Sequence, residues 1–141
     1  VFYLRLQGGQ MKREIKFRCW CFEHSLMFIP SFLDFRIGKL VNVLGHGCAG
    51  DGFKESGGHE KNSFIVMQFT GLHDKNGKEI YEGDIVRWND TGTLHTCKIV
   101  YDPPHYVGKV IERPGVASVW GWFQYDPDVI GNVHENPELE K

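Results

Sequence analysis

From Glu14 to Trp20 the chain alternates strictly: Ile15, Phe17 and Cys19 share one face, while Lys16, Arg18 and Trp20 share the other. That two-residue period predicts a half-buried β-strand. The apolar run Leu26-Met27-Phe28-Ile29 stops at Pro30 and lies a turn's length further on, so the two segments are expected to pair as a hairpin. Further strands are predicted over residues 39–44, 64–69, 85–88, 94–101, 107–111 and 116–125, with a last one beginning at Val129. Between them stand punctuating residues. Thr70-Gly71-Leu72 is expected to turn the chain, and Asn76-Gly77 to supply the two positive φ angles of a type I′ turn. Further turns are expected at 89–92, 102–104 and 126–128. Gly83 is expected in a left-handed or bulged conformation, with the Asp84 carboxylate accepting nearby backbone N–H groups. Asn136-Pro137-Glu138 has the form of an N-cap, a first-turn proline and an acidic first turn, so one helical turn is expected near the C-terminus.

The pattern breaks over residues 45–63, where Gly45, Gly47, Gly50, Gly52, Gly57 and Gly58 leave no room for a regular element; a flexible surface loop is expected there. The first ten residues also stand outside it. Gln7-Gly8-Gly9-Gln10 can be encoded by a purine-rich stretch resembling a ribosome-binding site just before an ATG, so residues 1–10 are expected to be a non-native leader, with Met11 as the true start. Residues 11–141 then form a single domain. The fold expected is mainly β: a small twisted sheet or partly open barrel built from hairpins, with a long Gly-rich loop and little helix. An aromatic content of 13% fits strands.

Charge and cysteine usage narrow the function. A net charge of −2 excludes a protein that coats nucleic acid by charge alone. No apolar run approaches the roughly 20 residues that span a bilayer, so no membrane partner is expected. Cys19, Cys21, Cys48 and Cys97, without an export signal, fit reduced thiols in a cytoplasm.

Few residues form a chemical constellation. Gly45-His46-Gly47-Cys48-Ala49-Gly50 matches G-x-G-x-x-G, but the helix that must follow a dinucleotide fingerprint is replaced by more glycine. The pairs Cys19/Cys21, His46/Cys48 and His95/Cys97 could chelate zinc from a strand face, yet their spacing is shorter than zinc sites use. Asp74-x-Asn76-Gly77 lacks the distant glutamate of a calcium loop, and the hairpin reading is preferred. No cofactor is therefore expected, and no catalytic residue is assigned. Glu79, Glu82 and Asp84 with Tyr81 could make a polar site, against the alternative of a hairpin rim. Trp20, Trp88, Trp120 and Trp122 could stack on bases beside the basic segment 12–18, against the alternative of core filling. The candidate functional surface is thus Tyr81, Glu82, Asp84, Trp88, Trp120 and Trp122.

Three stretches carry a resemblance: Arg13-Glu14-Ile15-Lys16-Phe17-Arg18-Cys19-Trp20, the run from Met67 to Val86 (MQFTGLHDKNGKEIYEGDIV), and Val129-Ile130-Gly131-Asn132-Val133-His134-Glu135-Asn136-Pro137-Glu138-Leu139. Together they resemble the YopX family of phage and prophage proteins, from about Met11 to the C-terminus. Cys19 and Cys21 depart from the Ala and Asp of that family's opening, and the glycine-rich loop falls where the family varies. The resemblance implies a cytoplasmic protein of a bacterial virus or prophage, with a strand at Glu82–Val86 like those of SH3-like barrels; it supplies no activity and no catalytic residues. The expectation is a non-catalytic accessory module that forms a homo-oligomer or binds a phage or host macromolecule. The alternatives are nucleic-acid binding in phage replication or gene control, and an enzyme using the polar site at Tyr81, Glu82 and Asp84.

Overall fold

In a computed structural model of the chain, residues 14–36, 39–45, 64–111, 116–118 and 125–141 are described here. In chain order the strands are β1 (Phe17–Cys21), β2 (Leu26–Phe28), β3 (Pro30–Arg36), β4 (Lys39–Gly45), β5 (Phe64–His73), β6 (Glu79–Tyr81), β7 (Asp84–Asp90), β8 (Thr93–Asp102), β9 (His105–Val110), β10 (Val116–Ser118) and β11 (Asp128–Asn132). A single 3₁₀ turn, Pro137–Glu140, is the only helical element among the described residues. The protein is mainly β, built from antiparallel sheets, one of them curled as a half-barrel. The expected leader at 1–10 and all of the expected loop except Gly45 lie outside the described residues.

The chain divides into two compact units. In Phe17–Met67, β1 and β2 form the expected hairpin, with Cys19 opposite Phe28 and Cys21 opposite Leu26. A second hairpin joins β3 to β4, with shifts of register between Pro30 and Phe32 and between Asp34 and Phe35. The core of this unit is Cys19, Cys21, Phe28 and Val43, with Leu33, Phe64 and Val66 against it. The half-buried strand expected at 14–20 holds for residues 14–17 but is corrected beyond them: Arg18 and Trp20, on the supposedly wet face, are buried, as are Cys19 and Cys21 on either side of Trp20. In its sheet β1 lies between β2 and β5, so both of its hydrogen-bonding edges are paired, and Arg18 also reaches the buried Met67 sulfur at 3.8 Å.

The other unit comprises Gln68–Lys141 and the stretch ending at Lys16. Its main sheet runs β10-β9-β8-β7-β11. The interior strand β7 buries Asp84, Ile85, Val86 and Trp88, and Ile80, Cys97, Ile99 and Val129 complete the core. Each such aliphatic side chain contributes about 1.5–3 kcal/mol on leaving water.

Three local expectations need amendment. Thr70-Gly71-Leu72 does not turn the chain. Strand β5 continues to His73, with Gly71 at φ +89° forming an irregularity. The Thr70 hydroxyl fills the gap there by donating to the Ile80 carbonyl (2.7 Å) and accepting from the Leu72 N–H (3.2 Å). Asn76-Gly77 does turn the chain, but not as type I′: only Gly77 has positive φ (+81°), and its N–H donates to the Asp74 carbonyl at 3.0 Å. This is the longer hairpin loop, in which one left-handed glycine follows an ordinary turn. The two-residue loop with both φ angles positive is Thr91-Gly92, at +48° and +92°, because Asp90 pairs directly with Thr93 and leaves only two residues to reverse the chain. Finally, the expected helical turn forms, but the Asn136 side chain does not cap it; its oxygen accepts from the Asn132 N–H instead.

Candidate functional site

Tyr81, Glu82 and Asp84 are brought together at the two-residue connection from β6 to β7. Gly83 has φ +78°, the left-handed value expected of it. Its N–H donates to the Ile99 carbonyl (2.8 Å), and its own carbonyl accepts from the Val133 N–H (2.9 Å). This single residue therefore ties the turn to β8 and to the segment after β11. Asp84 is 1% exposed, and its carboxylate accepts the Tyr81 N–H at 2.8 Å, as the sequence suggested. Glu82 and Gln68 exchange bonds reciprocally: the Glu82 N–H donates to the Gln68 carbonyl (3.0 Å), and the Gln68 N–H donates to the Glu82 side chain (2.8 Å).

The Tyr81 hydroxyl donates to the Glu79 carboxylate at 2.8 Å. The other oxygen of Glu79 holds the Lys16 ammonium, which also reaches Glu14 at 3.0 Å and lies 5.5 Å from the centre of the Phe69 ring. Phe69 in turn packs on Tyr81 and His73. The Lys16 bond holds the Glu79 carboxyl below the usual range; burial opposes this and the Tyr81 hydroxyl reinforces it. Glu79, followed by Glu14, raises the Lys16 ammonium above its ordinary value. A general acid at neutral pH needs a carboxyl pushed upward; Glu79 is moved the other way, and Asp84 and Glu82 serve as acceptors for backbone groups.

A second acid, Asp74, organises the adjoining hairpin loop. One oxygen accepts the Asn76 and Lys78 N–H groups, each at 2.8 Å, and the other accepts the Val129 N–H of β11 at 3.2 Å. Sequence reasoning placed a turn here but missed this role; the Asp-x-Asn-Gly spacing of an Asx turn was the available signal. Lys16 was missed too, since nothing local links it to a residue 63 positions away.

Trp88 is buried in the core and stacks on His95 directly across from it on β8, with ring centres 5.3 Å apart. Trp120 and Trp122 lie outside the described residues, as do His46 and Cys48. Cys19, Cys21 and Cys97 are buried, and the Cys21 sulfur lies 3.3 Å from His24 Nδ1. Among the described residues, no three His, Cys, Asp or Glu side chains converge on a point that could hold a metal ion.

The family model described as YopX protein matches residues 16–140 of the chain. The chain belongs to the YopX family. It is similar to protein EF1440 from Enterococcus faecalis, whose crystal structure superposes with a TM-score of 0.56 at 25% identity, covering 91% of this chain and 99% of that one. It is also similar to protein YopX from Bacillus subtilis, with a TM-score of 0.49 at 21% identity, covering 89% and 98% of the two chains. A search of curated proteins finds no match. In this YopX-family chain, the segment from Met67 to Val86 that carried the resemblance forms β5, the Asp74 loop, β6, the Gly83 turn and the start of β7. Its acids Asp74, Glu82 and Asp84 accept backbone N–H groups that hold those pieces in register.

Proposed function

We propose that the chain is a non-catalytic accessory module of a bacterial virus or prophage, acting in the host cytoplasm by assembling with further copies of itself. The observation that carries this reading is the apolar surface of the unit Phe17–Met67. Ile29 is 66% exposed and Phe32 54% exposed, and Leu26 and Ile65 are exposed as well. Leu26 lies on β2 and Ile29 directly follows it, while Phe32 lies on β3 and Ile65 on β5; β2 is at the outer end of its sheet among the described strands. An exposed strand edge bordered by apolar side chains is a template for pairing with another chain. No helix among the described residues is long and apolar enough to cross a membrane.

Sedimentation velocity of the full chain across a hundredfold concentration range tests the reading. Concentration-dependent association, reduced in Ile29→Glu and Phe32→Glu variants that keep the wild-type circular dichroism, is expected. A monomer at every concentration overturns it, and gel shifts with single- and double-stranded DNA and RNA then decide whether nucleic acid is the partner instead.

A further inference from the structure

The Asp74 loop holds a chemical feature that its structural role does not use. Asn76 is the only asparagine in the chain that is followed by glycine, and both residues are exposed at the tip of the hairpin. We propose that Asn76 is a site of spontaneous deamidation, and that the folded loop holds the reaction in check. In this reaction the backbone nitrogen of Gly77 attacks Asn76 Cγ. The new C–N bond closes a five-membered succinimide ring, the Cγ–Nδ2 bond breaks, and Nδ2 departs as ammonia with the proton of the Gly77 N–H. Water then opens the ring at either carbonyl, giving aspartate or isoaspartate at position 76. No oxidant or reductant takes part. Glycine favours the attack because it places no Cβ beside the attacking nitrogen.

Two bonds oppose the reaction in the fold. The Gly77 N–H is committed to the Asp74 carbonyl at 3.0 Å, so the attacking nitrogen is engaged. Asn76 Nδ2 donates to Asp128 Oδ1 at 3.2 Å, which tethers the amide to the start of β11. Asp74 fixes the loop further by accepting the Asn76 and Lys78 N–H groups. Attack therefore requires the loop to open locally, and its rate follows the open fraction.

The product carries its own consequence. A carboxylate at position 76 has no N–H to offer Asp128 and repels it at close range. It also competes for Lys75, which pairs with Asp128 at 3.1 Å. Isoaspartate adds a backbone atom to a loop whose bonds to Asp74 depend on its length. Once formed, either product loosens the hairpin that anchors β11, so conversion is expected to mark aged molecules.

The test follows the full chain at mildly alkaline pH by peptide mapping, reading the one-dalton gain at Asn76 and separating aspartate from isoaspartate by fragmentation. Three samples are compared: folded wild type, wild type in concentrated urea, and folded Asp128→Ala. In urea Asn76 is expected to convert before any other asparagine. In the fold it is expected to convert about tenfold more slowly or slower still, as protection by local hydrogen bonds predicts. Asp128→Ala is expected to recover part of the lost rate, and Asp128→Asn, which retains an acceptor oxygen, to recover less. Equal rates in folded and unfolded wild type overturn the protective role, and a stable Asn76 in urea overturns the site itself. Because the urea rate does not depend on folding, failure of a variant to fold leaves both outcomes readable.

Discussion

Replacing Asp74 by alanine removes the acceptor of three backbone N–H groups at once. Asn76 and Lys78 sit on an exposed loop, and their amides can turn to water. The Val129 N–H cannot do so as readily, because Val129 is part of the core and its bond to Asp74 is buried. Hydrogen bonds to a charged acceptor are worth about 1.5–3 kcal/mol each, and within one network they do not add. A loss of about 3–4 kcal/mol is therefore expected for Asp74→Ala. Asp74→Asn keeps an oxygen for the Asn76 and Lys78 amides but turns an amide N–H₂ toward Val129, so it is expected to cost about 1–2 kcal/mol. Urea unfolding followed by tryptophan fluorescence gives both values. The same variants test the electrostatics. Burial pushes the Asp74 carboxyl up, but the N–H groups of Lys78, Val129 and Asn76 outweigh it, and the net result lies below the ordinary value of 3.8. A carboxyl depressed in the folded state stabilises fully above its unfolded value and loses that contribution as pH falls through the folded value. The gap between wild type and Asp74→Ala should therefore hold from neutral pH down to about 3.8 and close below it. A variant within about 0.5 kcal/mol of wild type at neutral pH, the range of ordinary surface changes, would refute the reasoning; so would a gap that persists undiminished in acid.

Three further outcomes are expected. Thr91 holds φ +48° in its two-residue loop, a conformation unfavourable for a β-branched side chain, so Thr91→Asn should raise stability by about 0.5–1 kcal/mol in the same urea assay. A Cβ added at Gly131 would meet Asn136 Oδ1 at 2.5 Å and Leu139 Cδ1 at 2.8 Å, so Gly131→Ala should cost about 1–3 kcal/mol and free the C-terminal turn, visible as faster amide exchange at Leu139. Lys16→Met should let the Glu79 carboxyl rise toward its ordinary value of 4.5, read by carbon-detected NMR titration; an unmoved Glu79 would show that Lys16 does not set its charge.

The sequence is most legible where local chemistry dictates the answer. Gly83 and Asp84 act as their residue types require, and the β1–β2 hairpin follows from two short apolar runs and the gap between them. Legibility fails where the outcome depends on distant partners. Arg18 and Trp20 alternate as though exposed, yet both are buried, an outcome set by tertiary packing that no local pattern reveals. Asn76-Gly77 carries the stronger signal for a two-residue reversal, yet the bonds to Asp74 select a longer loop, and strand register imposes the tight turn on Thr91-Gly92. The polar cluster at Tyr81 was visible in the sequence, whereas its counter-charge Lys16 was not. The composition of that cluster suggested chemistry; its geometry assigns Glu82 and Asp84 to backbone donors and Glu79 to Lys16 and the Tyr81 hydroxyl.

The residues around the Gly83 turn hold the fold together by consuming backbone hydrogen bonds. Residue-resolved amide hydrogen exchange reads this role at each amide. The Tyr81, Glu82, Gly83 and Val133 amides, bonded to Asp84, Gln68, Ile99 and Gly83 respectively, should exchange only through the largest opening that the surrounding sheet undergoes. Fast exchange at these four positions, with β7 and β8 still protected, would contradict the account and return the cluster to the status of a mobile polar site.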